Sequence, residues 1–388
     1  MKIFKNKLIL VIGGLVIYLA SAGISYATFR FLGGSGGLIS PLENPQGSGF
    51  KVDLNAPKTE ACPLNGGMFT KAERQIWEKR RPLTVMIENH SDSRPQSGLS
   101  KADVVYEAVA EGGITRFLTV FYCAASAEEV TLGPVRSART YFMDFASEYG
   151  DYPLYAHVGG ANKPGPANAL GQIGDYGWLE KGNDMNQFSL GFPVFWRDYE
   201  RIGHPVATEH TMYSTTEKLW EVAQKRGLTN VDEEGNKWNE DFIQWKFKQE
   251  EKSDSRGDVA SIEFSFWENS PDYAVRWEYG KDSNLYSRFN GGQPHKDLNS
   301  DSQIQAKNVI VQFTKEKGPI DEVKHMLYTT IGTGKALIFQ DGKVIEGNWS
   351  KDDRQSRTKF TDNSDKEIAL NPGPIWIEIV PVGGEVKY

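Results

Sequence analysis

The first thirty residues constrain this chain more than any other part of its sequence. Lys2, Lys5 and Lys7 precede residues 8–29, a run of 22 residues without a charged side chain. At about 1.5 Å per helical residue the run is roughly 33 Å long, enough to cross a hydrocarbon core of about 30 Å. The lysines before it favour a cytoplasmic amino terminus. The sequence thus predicts a single-pass anchor within residues 1–31 and an extracytoplasmic location for the rest.

A cleaved signal peptide is the alternative interpretation of the same residues. Ser25-Tyr26-Ala27 resembles a small-residue cleavage site. The apolar core of a signal peptide usually has about 7–15 residues, however, so the longer run favours an anchor that is retained. Either interpretation exports the remainder of the chain. Residues 32–60 are rich in Gly, Ser and Pro, which predicts a flexible linker.

Composition limits what the exported part does. About 330 residues follow the linker, which exceeds a typical single core and favours two domains. The net charge of −7 and the sequence pI near 5.6 argue against nucleic acid as a partner. His157, His204 and His210 lack the spacing of a zinc site, and no nucleotide motif is present. The sequence therefore predicts no metal and no cofactor.

Cys62 and Cys123 are the two cysteines of the chain. In an oxidising compartment an isolated pair of this kind predicts a disulfide bond. The alternative is two unpaired thiols, one of them buried.

Residues 61–235 have the pattern of an α+β domain. Short apolar strands are predicted at 83–87, 103–110 and 114–123, and Glu111-Gly112-Gly113 fits a tight hairpin between the last two.

Four acids of this domain are candidate catalytic residues. Alternation along the strand at 103–110 places Asp103, Glu107 and Glu111 on one face, and Glu88 follows the preceding strand. Paired carboxylates can divide the acid and base work of a hydrolase. The alternative is the solvated face of a surface hairpin.

Two arginines follow Gly133-Pro134, a pair that predicts the start of a helix. Arg136 and Arg139 fall in its first turns, where positive side chains oppose the helix dipole. Together with free helix N–H groups they are suited to bind an anion. The alternative is an internal ion network with Glu88, Asp103 or Glu107. The candidate ligand-binding residues are Arg94, Arg116, Arg136, Arg139, His157 and His210.

Residues 236–388 are patterned as β-strands, most clearly at 308–314, 343–349 and 375–381, and Asp341-Gly342 is a hairpin signal. No catalytic constellation is recognisable among them. The predicted fold class is an α+β N-terminal domain plus a mainly-β C-terminal domain behind one transmembrane helix.

Strings from both domains resemble the YerB-like lipoproteins of bacteria. The matching strings are Arg94-Pro95-Gln96-Ser97-Gly98-Leu99, Ala102-Asp103-Val104-Val105-Tyr106-Glu107, Glu111-Gly112-Gly113-Ile114-Thr115-Arg116, Gly133-Pro134-Val135-Arg136-Ser137-Ala138-Arg139 and Asn371-Pro372-Gly373-Pro374-Ile375-Trp376. The resemblance implies a bacterial envelope protein with two paired domains, in a family without an established biochemical function. This chain departs from the lipoprotein pattern, because a predicted membrane helix stands in place of a lipidated cysteine.

These features predict a membrane-anchored binding protein of the cell envelope. Its ligand would be an anionic wall glycan or polymer, or a partner protein. The alternative is an envelope hydrolase or transferase, acting on wall glycan or a phosphodiester, whose carboxylates come from the four acids and whose arginines hold the substrate. Acids about 5–9.5 Å apart in an open cleft favour the enzyme, whereas acids fully paired with the arginines favour a scaffold.

Overall fold

The computed structural model describes residue 53 and residues 55–388. The predicted anchor at 1–31 and most of the predicted linker at 32–60 lie outside the described residues. Among the residues that are described, no helix combines the length and apolar character needed to cross a membrane.

Strands dominate the described part of the chain. They are β1 Lys58–Ala61, β2 Met68–Thr70, β3 Leu83–Glu88, β4 Val104–Glu111, β5 Ile114–Phe121, β6 Thr131–Leu132, β7 Leu154–His157, β8 Asp184–Asn186, β9 Trp196–Arg197, β10 Met212–Thr215, β11 Ser261–Phe264, β12 Val275–Gly280, β13 Leu285–Asn290, β14 Gln293–Pro294, β15 Gln305–Ala306, β16 Asn308–Thr314, β17 Glu316–Lys317, β18 Leu327–Tyr328, β19 Gly332–Gln340, β20 Lys343–Lys351, β21 Lys359–Asp362, β22 Ile375–Pro381 and β23 Val386–Lys387. The α-helices are α1 Lys71–Trp77, α2 Thr140–Ala146, α3 Ala169–Asp175, α4 Trp178–Lys181, α5 Gln187–Leu190 and α6 Thr216–Lys225.

A ten-stranded sheet runs through the fold in the order β21-β20-β19-β16-β22-β4-β5-β3-β7-β8. Strands β3 to β8 of this sheet belong to the predicted first domain, and β16 to β22 belong to the predicted second domain. They meet where β22 pairs in parallel with β4, from Ile375 opposite Val104 to Glu378 opposite Glu107. The two parts of the chain therefore share one sheet.

A second sheet is formed by the C-terminal part alone, in the order β14-β13-β12-β11-β23, with β15 also paired to β13. Its strand β13 alternates between half-buried and buried residues. In contrast, every residue of β3 is buried, as is typical of a strand that is covered on both faces.

Helix α6 shows how local sequence and packing agree. The side chain of Thr215 accepts a hydrogen bond from the Lys218 N–H and caps the helix amino terminus. Leu219, Trp220 and Ala223 follow helical spacing and are buried. The sequence predicts this helix at 214–226, within one or two residues of its observed ends.

The chain enters the fold beside the start of β4. Cys62 and Cys123 are joined by a buried disulfide, with their Cα atoms 6.0 Å apart. Asn65 donates to the Asp103 carboxylate at 2.9 Å in the same region. The entry segment is thereby fixed to the end of β5 and to the residue that precedes β4.

Candidate functional site

The opposite end of these strands carries a group of charged side chains. Glu88 ends β3 and lies opposite Arg116 of β5, while Glu111 ends β4. Arg136 and Arg139 belong to the segment that crosses this end of the sheet. We define the charged cluster as Glu88, Glu111, Arg116, Arg136, Arg139 and His210.

The segment that carries the two arginines is extended, so the predicted helix start at Gly133-Pro134 is wrong. Val135 donates its N–H to the Met212 carbonyl at 2.7 Å, and Arg136 donates its N–H to the Met86 carbonyl at 2.8 Å. These long-range bonds hold the segment against its neighbours. Helix α2 begins only at Thr140, with Arg139 as its N-cap residue. The arginines therefore do not lie in a first helical turn.

Glu111 bridges two of the arginines. Its carboxylate oxygens accept from Arg116 at 2.7 Å and from Arg139 at 2.5 Å. Arg116 and Arg139 are almost fully buried, and Arg116 also donates to the Ser137 carbonyl at 3.0 Å. Burial raises the pKa of Glu111, but the charges of Arg116 and Arg139 outweigh it and lower that pKa to about 2. Glu111 is thus an ionised acid held between two cations.

Glu88 holds the other half of the cluster. One carboxylate oxygen accepts from Arg136 Nε at 3.1 Å, and the other lies 2.9 Å from His210 Nδ1. The hydrogen bond to Glu88 raises the pKa of His210. Glu88 is 3% exposed, whereas Arg136 is 25% exposed. Arg136 therefore brings this half of the cluster to the surface.

Two other predicted ligand-binding residues serve structural contacts. Arg94 donates to the Asn89 side chain at 3.0 Å and to the Asp272 carbonyl at 2.8 Å, and burial lowers its pKa to about 10. His157 is fully buried, with Nε2 2.6 Å from Asp184 and Nδ1 2.7 Å from the Gly159 carbonyl. Both nitrogens of His157 are thereby occupied.

Two of the candidate catalytic acids are out of reach of a substrate. Asp103 is fully buried beside the disulfide and accepts from the Tyr122 and Cys123 N–H groups. Glu107 is fully buried in an ion pair with Arg288. The second sheet, to which Arg288 belongs, covers the face of β4 that carries Glu107. The prediction that Glu111 shares this face is wrong, because the register of β4 against β5 shifts between Val109 and Glu111, and Glu111 pairs with Arg116 and Arg139 instead. Of the other two acids, Glu88 is buried and Glu111 is half-buried, and both are paired with arginine.

Sequence reasoning missed His90 and Arg288. His90 follows β3, and its ring stacks on that of His210 with centroids 4.7 Å apart. His90 and His210 are far apart in the sequence and are brought together by the tertiary structure, so no sequence motif predicts this contact. Arg288 lies within β13, a strand that the sequence pattern did not predict.

Fold and cluster together define a strand-rich protein in two parts that share one sheet and present paired acids and arginines at one end. Family models place it further: the N-terminal domain of "Protein of unknown function (DUF3048)" matches residues 67–229, and the C-terminal domain of the same family matches residues 262–377. The chain belongs to this family.

Individual relatives agree with that assignment. The Bacillus subtilis (strain 168) protein named "Putative lipoprotein YerB" is 30% identical over 343 residues, 85% of this chain and 88% of that protein. A crystal structure of YerB protein from Bacillus subtilis matches with a TM-score of 0.66 at 27% identity, over 85% of this chain and 100% of that chain. The resemblance to YerB-like lipoproteins is confirmed.

Proposed function

We propose that this protein is a membrane-anchored, extracytoplasmic binding protein of the bacterial cell envelope. The charged cluster would hold an anionic group of a wall polymer, or of a partner protein. Support for the location comes from the uncharged run at 8–29 behind three lysines, and from a relative whose name describes a lipoprotein. A disulfide at Cys62 and Cys123 fits an oxidising compartment.

The observation that carries the binding proposal is the charge balance of the cluster. Three guanidinium groups, from Arg116, Arg136 and Arg139, lie with two carboxylates, from Glu88 and Glu111. Glu111 is shared by Arg116 and Arg139, whereas Glu88 pairs with Arg136, so the arginines and acids of the cluster carry one positive charge in excess. An anionic ligand would supply the missing negative charge.

Arg136 is the group that a ligand would meet. Only its Nε donates to Glu88, and within the described residues its two terminal nitrogens donate to no protein group. A guanidinium with two free N–H groups matches the oxygens of a carboxylate or phosphate.

The charged cluster lies at the end of β4 opposite to the place where the chain enters the fold. The chain enters the fold near Cys62 and Asp103, and the cluster lies at the far end of β4, near Glu111. At about 3.3 Å per residue, the eight residues from Asp103 to Glu111 separate the two ends by roughly 26 Å.

An Arg136→Ala variant tests the proposal. We expect its affinity for purified, anionic wall polymer to fall about tenfold to a hundredfold, since a hydrogen bond to a charged group is worth about 1.5–3 kcal/mol. Binding by the wild type should weaken with added salt. Titration calorimetry at two salt concentrations measures both effects, with Arg74→Ala as the control because Arg74 is exposed on α1.

Stability must be measured on the same variants. Glu88 keeps His210 as a partner when Arg136 is removed, so the free energy of unfolding should change by less than about 1 kcal/mol. A loss of about 3–5 kcal/mol with unchanged affinity would identify the cluster as an internal ion network and reject the binding proposal. Release of soluble product from wall fragments would instead favour the hydrolase.

The anchor is tested separately. Protease added to cells whose wall has been removed should degrade nearly the whole protein, because only the residues before the uncharged run at 8–29 would be cytoplasmic. Membrane fractionation with amino-terminal sequencing provides the second measurement. A released, soluble form that starts near Thr28 would mean that the segment is a cleaved signal peptide.

A further inference from the structure

His90, Asp92 and His210 lie together at the surface end of the charged cluster. One potential metal-ligand atom from each of the three residues lies within 4.8 Å of the others. Imidazole nitrogens with one carboxylate form a ligand set typical of zinc and related ions. We propose that these three side chains bind a divalent transition-metal ion.

His210 is oriented as a metal-binding histidine. Its Nδ1 lies 2.9 Å from the Glu88 carboxylate, which in its ionised form only accepts hydrogen bonds, so Nδ1 carries the hydrogen. The lone pair of the neutral ring is then on Nε2, which donates to and accepts from no protein group among the described residues. A carboxylate that orients a histidine in this way is the usual outer shell of a metal site. The contact between His210 and Glu88 supports the metal site separately from the proximity of His90, Asp92 and His210.

His90 and Asp92 approach from one short loop after β3. The Asp92 carboxylate lies 3.9 Å from His90 Nδ1, and that nitrogen accepts only a long hydrogen bond of 3.2 Å from the Asp92 N–H. The His90 ring now stacks on the His210 ring, so both His90 and Asp92 would have to rotate before their ligand atoms and His210 Nε2 point at one ion. The side chains of His90 and Asp92 are 31% and 63% exposed, which leaves room for both rotations, at the cost of the ring stacking between His90 and His210.

Nearby charges permit a cation at this position. Arg136 is close, but its Nε is engaged by Glu88. Glu209 adjoins His210 in the chain and is exposed. The two exposed acids, Asp92 and Glu209, therefore add negative charge around the proposed ion.

Three protein ligands would leave one coordination position of a tetrahedral ion open to solvent. An oxygen of a phosphate or carboxylate could occupy it while Arg136 donates to another oxygen of the same group. The metal proposal goes beyond the anion site, because it concerns different ligand atoms and is tested without any anionic ligand.

The test uses the full-length protein, purified in mild detergent and freed of metal by chelation. Co²⁺ is titrated while its visible absorption is followed, and Zn²⁺ is then used to displace it. The variants are His90→Ala and Asp92→Asn, both outside the core, and Glu88→Gln, which alters the orientation of His210. His204→Ala is the matched control, because His204 is an exposed histidine outside the group.

We expect one equivalent of Co²⁺ to bind to the wild type and to His204→Ala, with an absorption spectrum that indicates low coordination number. His90→Ala and Asp92→Asn should weaken binding at least about tenfold, and Glu88→Gln about 10- to 100-fold. No saturable binding by the wild type, or equal binding by His90→Ala and the control, would overturn the proposal. Polymer binding measured in the presence of chelator reports on the anion site alone, so failure of either proposal is recognised separately.

Discussion

An Arg288→Ala variant should unfold with a free energy about 3–5 kcal/mol below that of the wild type, because the substitution leaves a buried carboxylate without its cation. Arg288 is fully buried in β13 of the second sheet. Its guanidinium forms an ion pair with Glu107, which is equally buried in β4 of the ten-stranded sheet. The pair thus joins the two sheets by a contact that water does not reach.

The neighbours of Arg288 do not replace its charge. One N–H group donates to His295 Nδ1 at 2.6 Å, and burial and the charge of Arg288 keep the pKa of His295 well below its usual value. Burial, followed by the charge of Glu107, raises the pKa of Glu378 well above its usual value, which favours the neutral form of this nearby carboxyl group. The Cζ atom lies 4.8 Å from the ring centre of Trp376. Glu107 is the closer carboxylate partner of Arg288, since the nearest oxygen of Glu378 lies 3.9 Å from Arg288 Nε.

Urea unfolding measures the loss. Adding Glu107→Gln to Arg288→Ala should recover part of it, because no buried charge then remains unpaired. Arg276→Ala is the control, since Arg276 is 37% exposed on the adjacent strand and its pairing with Glu278 is worth less than about 1 kcal/mol. Equal losses for Arg288→Ala and the control would contradict the argument.

Local sequence patterns predict the strands of the shared sheet well. The strands expected at 308–314 and 375–381 are observed at those residues as β16 and β22. The hairpin at Glu111-Gly112-Gly113 is also present, and both glycines have positive φ, 58° and 87°. The strands are rich in apolar residues with high β propensity, and the glycines adopt a backbone conformation that other residues rarely adopt. Both signals come from residues that are adjacent in the chain, so they can be recognised in a single sequence.

Strand β13 shows where the patterns fail. Its buried positions are Tyr286, Arg288 and Asn290, so two of the three residues that face the core are polar. A pattern search places polar residues on the solvent side and finds no strand here. The core can hold Arg288 only because Glu107 of another sheet pairs with it, and that partner is far away in the sequence.

The sequence indicates the residues of the charged cluster as candidate site residues, but it does not predict which of them pair or that Arg136 lies in an extended segment. Arg136 was expected to contact a ligand or to pair with Glu88, Asp103 or Glu107, and its observed partner is Glu88. The helix was misplaced because Gly133-Pro134 and the apolar spacing after it suit a helix start as well as an extended segment. The backbone hydrogen bonds to Met86 and Met212 hold the segment in its extended conformation. Because both partners are distant in the sequence, local patterns do not predict these bonds.

Asp103 anchors the segment that enters the fold, and an Asp103→Ala variant should be destabilised on the order of 4 kcal/mol. Its Oδ2 accepts from the Tyr122 and Cys123 N–H groups at 2.7 and 2.9 Å, and its Oδ1 accepts from Asn65 and the Ala124 N–H at 2.9 and 3.2 Å. Alanine leaves these four donors without an acceptor, and each buried donor left unsatisfied costs about 1–3 kcal/mol. Water that enters the space left by the carboxylate would satisfy some of them, which keeps the expected loss below the sum.

The same residue predicts a pH dependence of stability. Burial raises the pKa of Asp103 to about 7, against the backbone hydrogen bonds that lower it. An unfolded aspartate titrates near about 3.9, so between these values the folded protein binds a proton that the unfolded chain releases. The resulting stabilisation is complete below about pH 4 and is lost as the pH rises through about 7. Asp103→Asn does not titrate, so the stability of the wild type relative to this variant should fall as the pH is raised.

Urea unfolding of the wild type, Asp103→Asn and Asp103→Ala between about pH 4 and about pH 8 measures both effects. Asparagine retains one acceptor oxygen but turns its amide N–H₂ towards two of the donors, so its loss should lie below that of alanine. Asp92→Asn is the control, because Asp92 is exposed and, among residues 55–388, accepts no backbone donor from another segment. A stability difference between wild type and Asp103→Asn that stays constant over this range would show that Asp103 keeps an ordinary, low pKa, because its four hydrogen bonds then outweigh the cost of burying its charge.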